Sequence, residues 1–175
     1  MFDRFVVVDW SAHSTPKRGR DSIWIAVVDG GGRSVSNPST RVAAQHCLVE
    51  LIASDASTRT MIGVDFSLGY PVGTAAALGL EGCPWDSMGD LLSGSIIDDD
   101  RNVNNRFEVA STLNARITAM GSPFWGCPPS RGGHTLTATK PASFAPLGEW
   151  RSVETALRDQ GCRPFSSWQL LGSGA

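Results

Sequence analysis

Residues 60–71 read T-M-I-G-V-D-F-S-L-G-Y-P, and this stretch decides how the chain is organised. Met61, Ile62 and Val64 form a short apolar run of the kind a buried strand makes, and Asp65 stands where the run ends. Gly69, Tyr70 and Pro71 then turn the chain. A carboxylate at the end of a strand is held at the rim of its sheet, where a ligand or a metal ion can meet it. The same pattern stands near the amino terminus: Phe5-Val6-Val7-Val8-Asp9-Trp10-Ser11 also runs from an apolar strand into Asp, an aromatic residue and Ser. If the two strands are parallel neighbours, Asp9 and Asp65 lie side by side. A single strand-end Asp is usually a turn or cap residue, because its side chain bonds readily to nearby amides. Two in matching contexts weigh against that reading.

The 175 residues suit one domain with a substantial core, and 41% hydrophobic against 18% charged residues describes a globular chain. Fifteen Lys and Arg against 17 Asp and Glu give a net charge of -2, which leaves no broad basic face for nucleic acid. No apolar run reaches the roughly 20 residues that cross a bilayer, and no signal-peptide pattern opens the chain, so a cytoplasmic protein without membrane partners is expected. Cys47, Cys83, Cys127 and Cys162 form no C-x-x-C pair and are expected to be reduced and packed as small apolar residues. His13, His46 and His134 carry no metal-ligand spacing.

From the amino terminus, residues 5–9 form the first strand and residues 11–20 a polar loop with Lys17, Arg18 and Arg20. Residues 21–28 alternate as a second strand, with Ile23, Ile25 and Val27 on one face. Asp29-Gly30-Gly31-Gly32 is a hairpin turn, so residues 33–36 run back antiparallel as a third strand. Asn37 to Thr40 start a helix over residues 41–54, and residues 60–65 form a fourth strand. The crossover helix places that fourth strand parallel to the first.

These elements resemble the ribonuclease H-like fold, whose first and fourth strands lie side by side and each end in an active-site acid. More specifically, V-V-V-D-W-S-A, D-S-I-W-I-A, V-D-F-S-L-G-Y-P, N-N-R-F-E-V-A, P-F-W-G and S-W-Q-L-L-G resemble a bacterial ribonuclease H-like family across nearly the whole chain. Members of that family are labelled as predicted nucleases or as molybdopterin-guanine dinucleotide or cobalamin biosynthesis proteins. The resemblance implies an α/β domain with three antiparallel strands and a parallel fourth. Residues 1–66 would be its core sheet and helix, and residues 67–175 a helical and loop-rich extension. A fifth strand and a later acid-bearing helix, usual in that fold, find no convincing counterpart here. Relatives continue beyond the W-Q-L-L-G motif, so a truncated or natural short form with an incomplete acid set is expected. By analogy with the fold, Glu50 on the first helix is the residue that could complete the set, although a helix Glu ordinarily faces solvent.

The rest of the chain is less regular. Residues 72–80, 85–97, 102–120 and 149–160 read as helices, although Gly89 and Gly94 weaken the second. Asp98-Asp99-Asp100 reads as a solvated cap more readily than a metal site. Asn105 and Arg106 open the third of these helices and could offer amide and guanidinium donors to an anion. Residues 123–146 lack regular structure and are expected to be mobile, a lid or a binding loop, with Phe124, Trp125 and Lys140 able to stack on and neutralise a nucleotide or simply to pack the loop down. Residues 164–171 form a final segment before the Gly172-Ser173-Gly174-Ala175 end.

Three functions from different classes fit. The first is a metal-dependent phosphodiesterase or nuclease-like hydrolase, in which Asp9 and Asp65, with Glu50 as third ligand, hold Mg²⁺ or Mn²⁺. Its substrate would be a nucleotide, another phosphorylated small molecule or a single-stranded nucleic-acid end, contacted by Ser11, Lys17, Ser67, Asn105, Arg106 and Lys140. The second is a nucleotide-binding cofactor-biosynthesis protein, although the loop after the first strand lacks the glycines that wrap a phosphate. The third is a non-catalytic binding module.

Overall fold

The computed structural model describes residues 1–171. It is an α/β protein with an open four-stranded mixed sheet in the order β3-β2-β1-β4. The strands are β1 (Arg4–Asp9), β2 (Trp24–Asp29), β3 (Gly32–Ser36) and β4 (Thr60–Val64). β1 pairs antiparallel with β2, β2 antiparallel with β3, and β1 parallel with β4, as the hairpin turn and the crossover require. The helices are α1 (Arg41–Ala53), α2 (Thr74–Ala77), α3 (Pro84–Ser95), α4 (Arg106–Ile117) and α5 (Ser152–Asp159). Among the described residues no fifth strand joins the sheet.

The chain divides into two compact units. The first comprises Met1–Phe66 together with Asp98–Asn104, and the second comprises Ser67–Ile97 and the chain from Asn105 onward. In the first unit, alternation along β1 sends Val6 and Val8 to one face, where they meet Ile23, Ile25 and Ala44 in a buried cluster completed by Leu48, Leu51 and Val64. α1 therefore covers one face of the sheet. Phe5, Val7, Trp24, Val28, Val35 and Met61 remain exposed. β4 departs from the expectation of a buried strand, with Met61 at 50% and Ile62 at 36% exposure. The reason is its place at the edge of the sheet, with a strand neighbour on one side only. β2 starts three residues later than its alternation suggests, because Asp21 takes a positive φ of 55° and the Ser22 hydroxyl donates to the Gly19 carbonyl at 2.6 Å.

The second unit is held by an aromatic group. Tyr70 stacks on Trp168 with ring centroids 5.1 Å apart, and Phe124 meets both edge-on at 5.5 and 4.9 Å. Around it pack Leu78, Met88, Val109, Leu113 and Leu136. α4 begins four residues later than its pattern suggests. Asn102, with φ 65°, and the residues up to Asn104 turn back into the first unit.

Residues 123–146 hold no strand or α-helix, only the short 3-10 turn Pro129–Arg131, and of the alternatives for Phe124 it is the packing one that the structure shows. Phe124, Cys127 and Leu136 are buried, and Trp125 forms isolated bridges with Thr137 and Gln169. Asn114, fully buried on α4, donates to the carbonyls of Phe124 and Thr135 at 2.9 and 2.8 Å and accepts from the Phe124 amide at 2.8 Å. One amide side chain thus satisfies backbone groups that have no strand ladder to join. Gly126 has a φ of 85°, and a Cβ there would lie 3.3 Å from the backbone N and O of Leu171, so this turn admits only glycine without strain. All four cysteines are free, but only Cys127 is buried as expected, whereas Cys47, Cys83 and Cys162 are exposed.

Replacing Asn114 by Ala strands two buried backbone groups of Phe124 and the half-buried Thr135 carbonyl, and a loss of about 2–4 kcal/mol in urea unfolding is expected. Hydrogen exchange on the wild-type chain should find the Phe124 and Trp125 amides protected.

Candidate functional site

β1 and β4 carry Asp9 and Asp65 to the same rim of the sheet. The parallel register pairs Val8 with Val64, so the next residue on each strand is the aspartate. The Asp9 carboxyl is pushed above the usual carboxylate range by desolvation, then by the charge of Asp65 and by the hydrogen bond that its protonated form can give Asp65. Desolvation leads, yet Asp9 stays open to solvent, so the like charge is the informative cause. Asp65 Oδ1 accepts from the Trp10 amide at 2.9 Å, which ties the two strand ends together. The repeated aromatics also meet: Trp10 and Phe66 pack edge-on at 5.7 Å.

The loop after β1 is fastened from behind by a residue that the motifs did not single out. Arg41, the first residue of α1, is 6% exposed and pairs through its guanidinium with Asp98. The same group donates to the carbonyls of His13 at 2.9 Å and Asn102 at 2.6 Å. Asn102 in turn accepts from the Arg41 amide at 2.8 Å and donates to the Thr15 carbonyl at 3.2 Å. Asp99 caps its own turn by accepting from the amides of Arg101 and Val103 at 2.9 and 2.7 Å. Two of the three acids in the run 98–100 therefore have structural partners. No local spacing could have revealed this, because Arg41 and Asp98 are separated by 57 residues.

The remaining expected site residues fall into two groups. In the first unit, the Ser11 hydroxyl donates to the Asp21 carbonyl at 3.3 Å and Lys17 lies 3.8 Å from the Asp21 carboxylate. Glu50 is exposed on α1 and does not join the aspartates. No group of three or more His, Cys, Asp or Glu side chains able to hold a metal exists among the described residues. In the second unit, Asn105 is committed to the α3–α4 junction, accepting from the Ile97 amide at 2.8 Å and donating to the Ser95 carbonyl at 2.9 Å. The Arg106 guanidinium lies over the Phe107 ring at 4.5 Å, and Lys140 is 2.6 Å from the Glu149 carboxylate. Phe124 is 3% exposed and packs the irregular segment down. Ser67 borders a cavity formed wholly by residues of this unit. The final motif, S-W-Q-L-L-G, is described up to Leu171, and Gly172 lies outside the described residues.

Comparison of the chain with family models, with curated proteins and with solved structures finds no match. Among the described residues no helix is long and apolar enough to cross a membrane.

Two measurements follow from this geometry. An acid with a raised folded pKa costs stability when ionised, a cost present above that pKa and lost as pH falls through it. In chelator, Asp9→Asn should therefore melt about 1–2 °C higher than wild type at pH 7, because a solvent-screened like-charge contact is worth a few tenths of a kcal/mol. The gap should close at acid pH. Arg41→Ala should lower the unfolding free energy by about 3 kcal/mol, since it leaves the Asp98 carboxylate and several carbonyls without their donor.

Proposed function

We propose that the first unit is a ribonuclease H-like core and that the protein is a metal-dependent hydrolase of phosphodiester or phosphoryl bonds, with Asp9 and Asp65 as its metal ligands. The observation that carries this reading is the pair of carboxylates at adjacent parallel strand ends, where desolvation first and the charge of Asp65 second raise the Asp9 carboxyl. Two close carboxylates repel unless a cation lies between them. The strand order β3-β2-β1-β4 supports the fold assignment. The donor set is hard and all oxygen, which suits Mg²⁺ or Mn²⁺ rather than zinc. Mg²⁺ is commonly held by one or two protein carboxylates, its other positions going to water and substrate phosphate, so two aspartates suffice without Glu50. When bound, such an ion supplies Lewis-acid polarisation of a phosphoryl oxygen and acidifies water.

The chain's own groups divide the remaining work. Asp65, fixed by the Trp10 amide, orients the site, and Asp9 supplies the less constrained carboxylate. Lys17, Arg18 and Arg20 follow Asp9 on the loop that Arg41 anchors, and Arg18 and Arg20 are exposed and able to meet a phosphate. Arg106 and Lys140 are engaged in the second unit. A few cations on one loop, on a chain of net charge -2, suit a nucleotide, a phosphorylated small molecule or a single-stranded end better than a long duplex.

Calorimetry with Mn²⁺, followed by a hydrolysis screen of nucleotides, cofactor-like dinucleotides and labelled oligonucleotides, tests this reading. Binding to wild type and its loss in Asp65→Asn are expected, with hydrolysis falling at least about 100-fold in Asp9→Asn and Asp65→Asn. Equal binding by wild type and Asp65→Asn would overturn the metal site. Metal-dependent ligand binding without turnover would favour a binding module.

A further inference from the structure

A cavity of about 760 Å³ is lined entirely by residues of the second unit. That volume falls in the range of small-molecule sites. Its wall combines the turn after β4 with α2 and α3, and it is mainly apolar. Trp85 packs over Gly69, with a ring carbon 3.9 Å from where a Cβ would stand, yet the indole is 60% exposed. Val72, on the same wall, is 85% exposed. Large apolar side chains left bare around a concavity mark a place where something apolar binds.

The charges of this wall are one-sided. Asp86 and Asp90, one turn apart on α3, both line the cavity, and no Lys, Arg or His does. Among the described residues neither carboxylate has an ion-pair partner. A phosphate, a nucleotide or a fatty acid would meet two negative charges with no cation to offset them. An ammonium group would meet two acceptors in a cavity that Trp85 also lines, and indole is the aromatic ring that attracts cations most strongly. We propose that this cavity binds a small hydrophobic amine, with its apolar body between Trp85 and the Val72 wall and its cationic head at Asp86 and Asp90.

The site is distinct from the aspartate pair in chemistry. Asp9 and Asp65 are paired carboxylates suited to a metal and a phosphate, whereas here an apolar, anionic wall selects an organic cation. The two proposals stand or fall separately.

The test is a matched series in chelator: tryptamine, neutral 3-ethylindole and anionic indole-3-propionate, titrated against the full chain by calorimetry. Tightest binding by tryptamine and weakest by indole-3-propionate is expected. The double variant Asp86→Asn/Asp90→Asn, both positions being exposed, should keep its thermal midpoint. It should lose about ten-fold in tryptamine affinity, the equivalent of one charge-assisted contact, and keep its affinity for 3-ethylindole. Trp85→Ala should weaken tryptamine and 3-ethylindole together. Equal binding of the three ligands, tighter binding of indole-3-propionate, an unchanged tryptamine affinity in the double variant, or no binding of tryptamine at millimolar concentration would each overturn the assignment. An Asp9→Asn protein should bind tryptamine as wild type does, whatever becomes of the metal site.

Discussion

The Arg41 guanidinium is almost wholly removed from water and is kept there by a ring of oxygens: the Asp98 carboxylate and the carbonyls of His13 and Asn102. An ion so placed is tolerated only while those partners hold, because stripping its hydration costs several kcal/mol. The helix that begins at Arg41 is the crossover between β3 and β4, and its Ala44 and Leu48 cover Val6 and Val8. Its anchoring therefore governs both the core of the first unit and the course of the loop that leaves β1. A lysine could not replace it, since one ammonium cannot reach a carboxylate and two diverging carbonyls at once.

Strand pairing then does what side-chain packing cannot. Parallel register between β1 and β4 forces residues in equal positions to equal heights, so the aspartates meet because Val8 meets Val64. The carboxylates are brought together by backbone hydrogen bonds against their own repulsion. Such opposition of local and global preference is expected at functional positions and is rare elsewhere.

Much of this was legible in the sequence. Alternation in Ile23 and Ile25, the Asp29-Gly30-Gly31-Gly32 turn and the duplicated strand ends fixed the sheet order, because period-two burial and turn chemistry are local signals. What escaped notice depends on distant pairings. The edge position of β4 leaves Met61 and Ile62 exposed, though their apolar run reads as buried. Asn114 sits among helix residues with nothing to mark it, and its partners Phe124 and Thr135 lie in a segment whose prolines and glycines suggest freedom. Lys140, Asn105 and Arg106 look like anion donors in sequence, and their use in the second unit is visible only once Glu149, Ser95 and Phe107 are in place. The acids of α3 carried no signal alone; they gain meaning from the cavity beside them.

The assignment of Asp98–Asn104 to the first unit has a topological consequence. The chain leaves the first unit after Phe66, builds part of the second, returns to supply Asp98 and Asn102 to Arg41, and leaves again. Neither unit is a continuous segment. A cut at residue 66 would separate the guanidinium from the carboxylate that neutralises it, so a fragment ending there would carry an uncompensated buried charge. The seven-residue return acts as a stitch: domain dissection, fusion or shuffling at this boundary has to carry the stitch along, and a nick within residues 67–97 would leave it covalently attached only to the second unit.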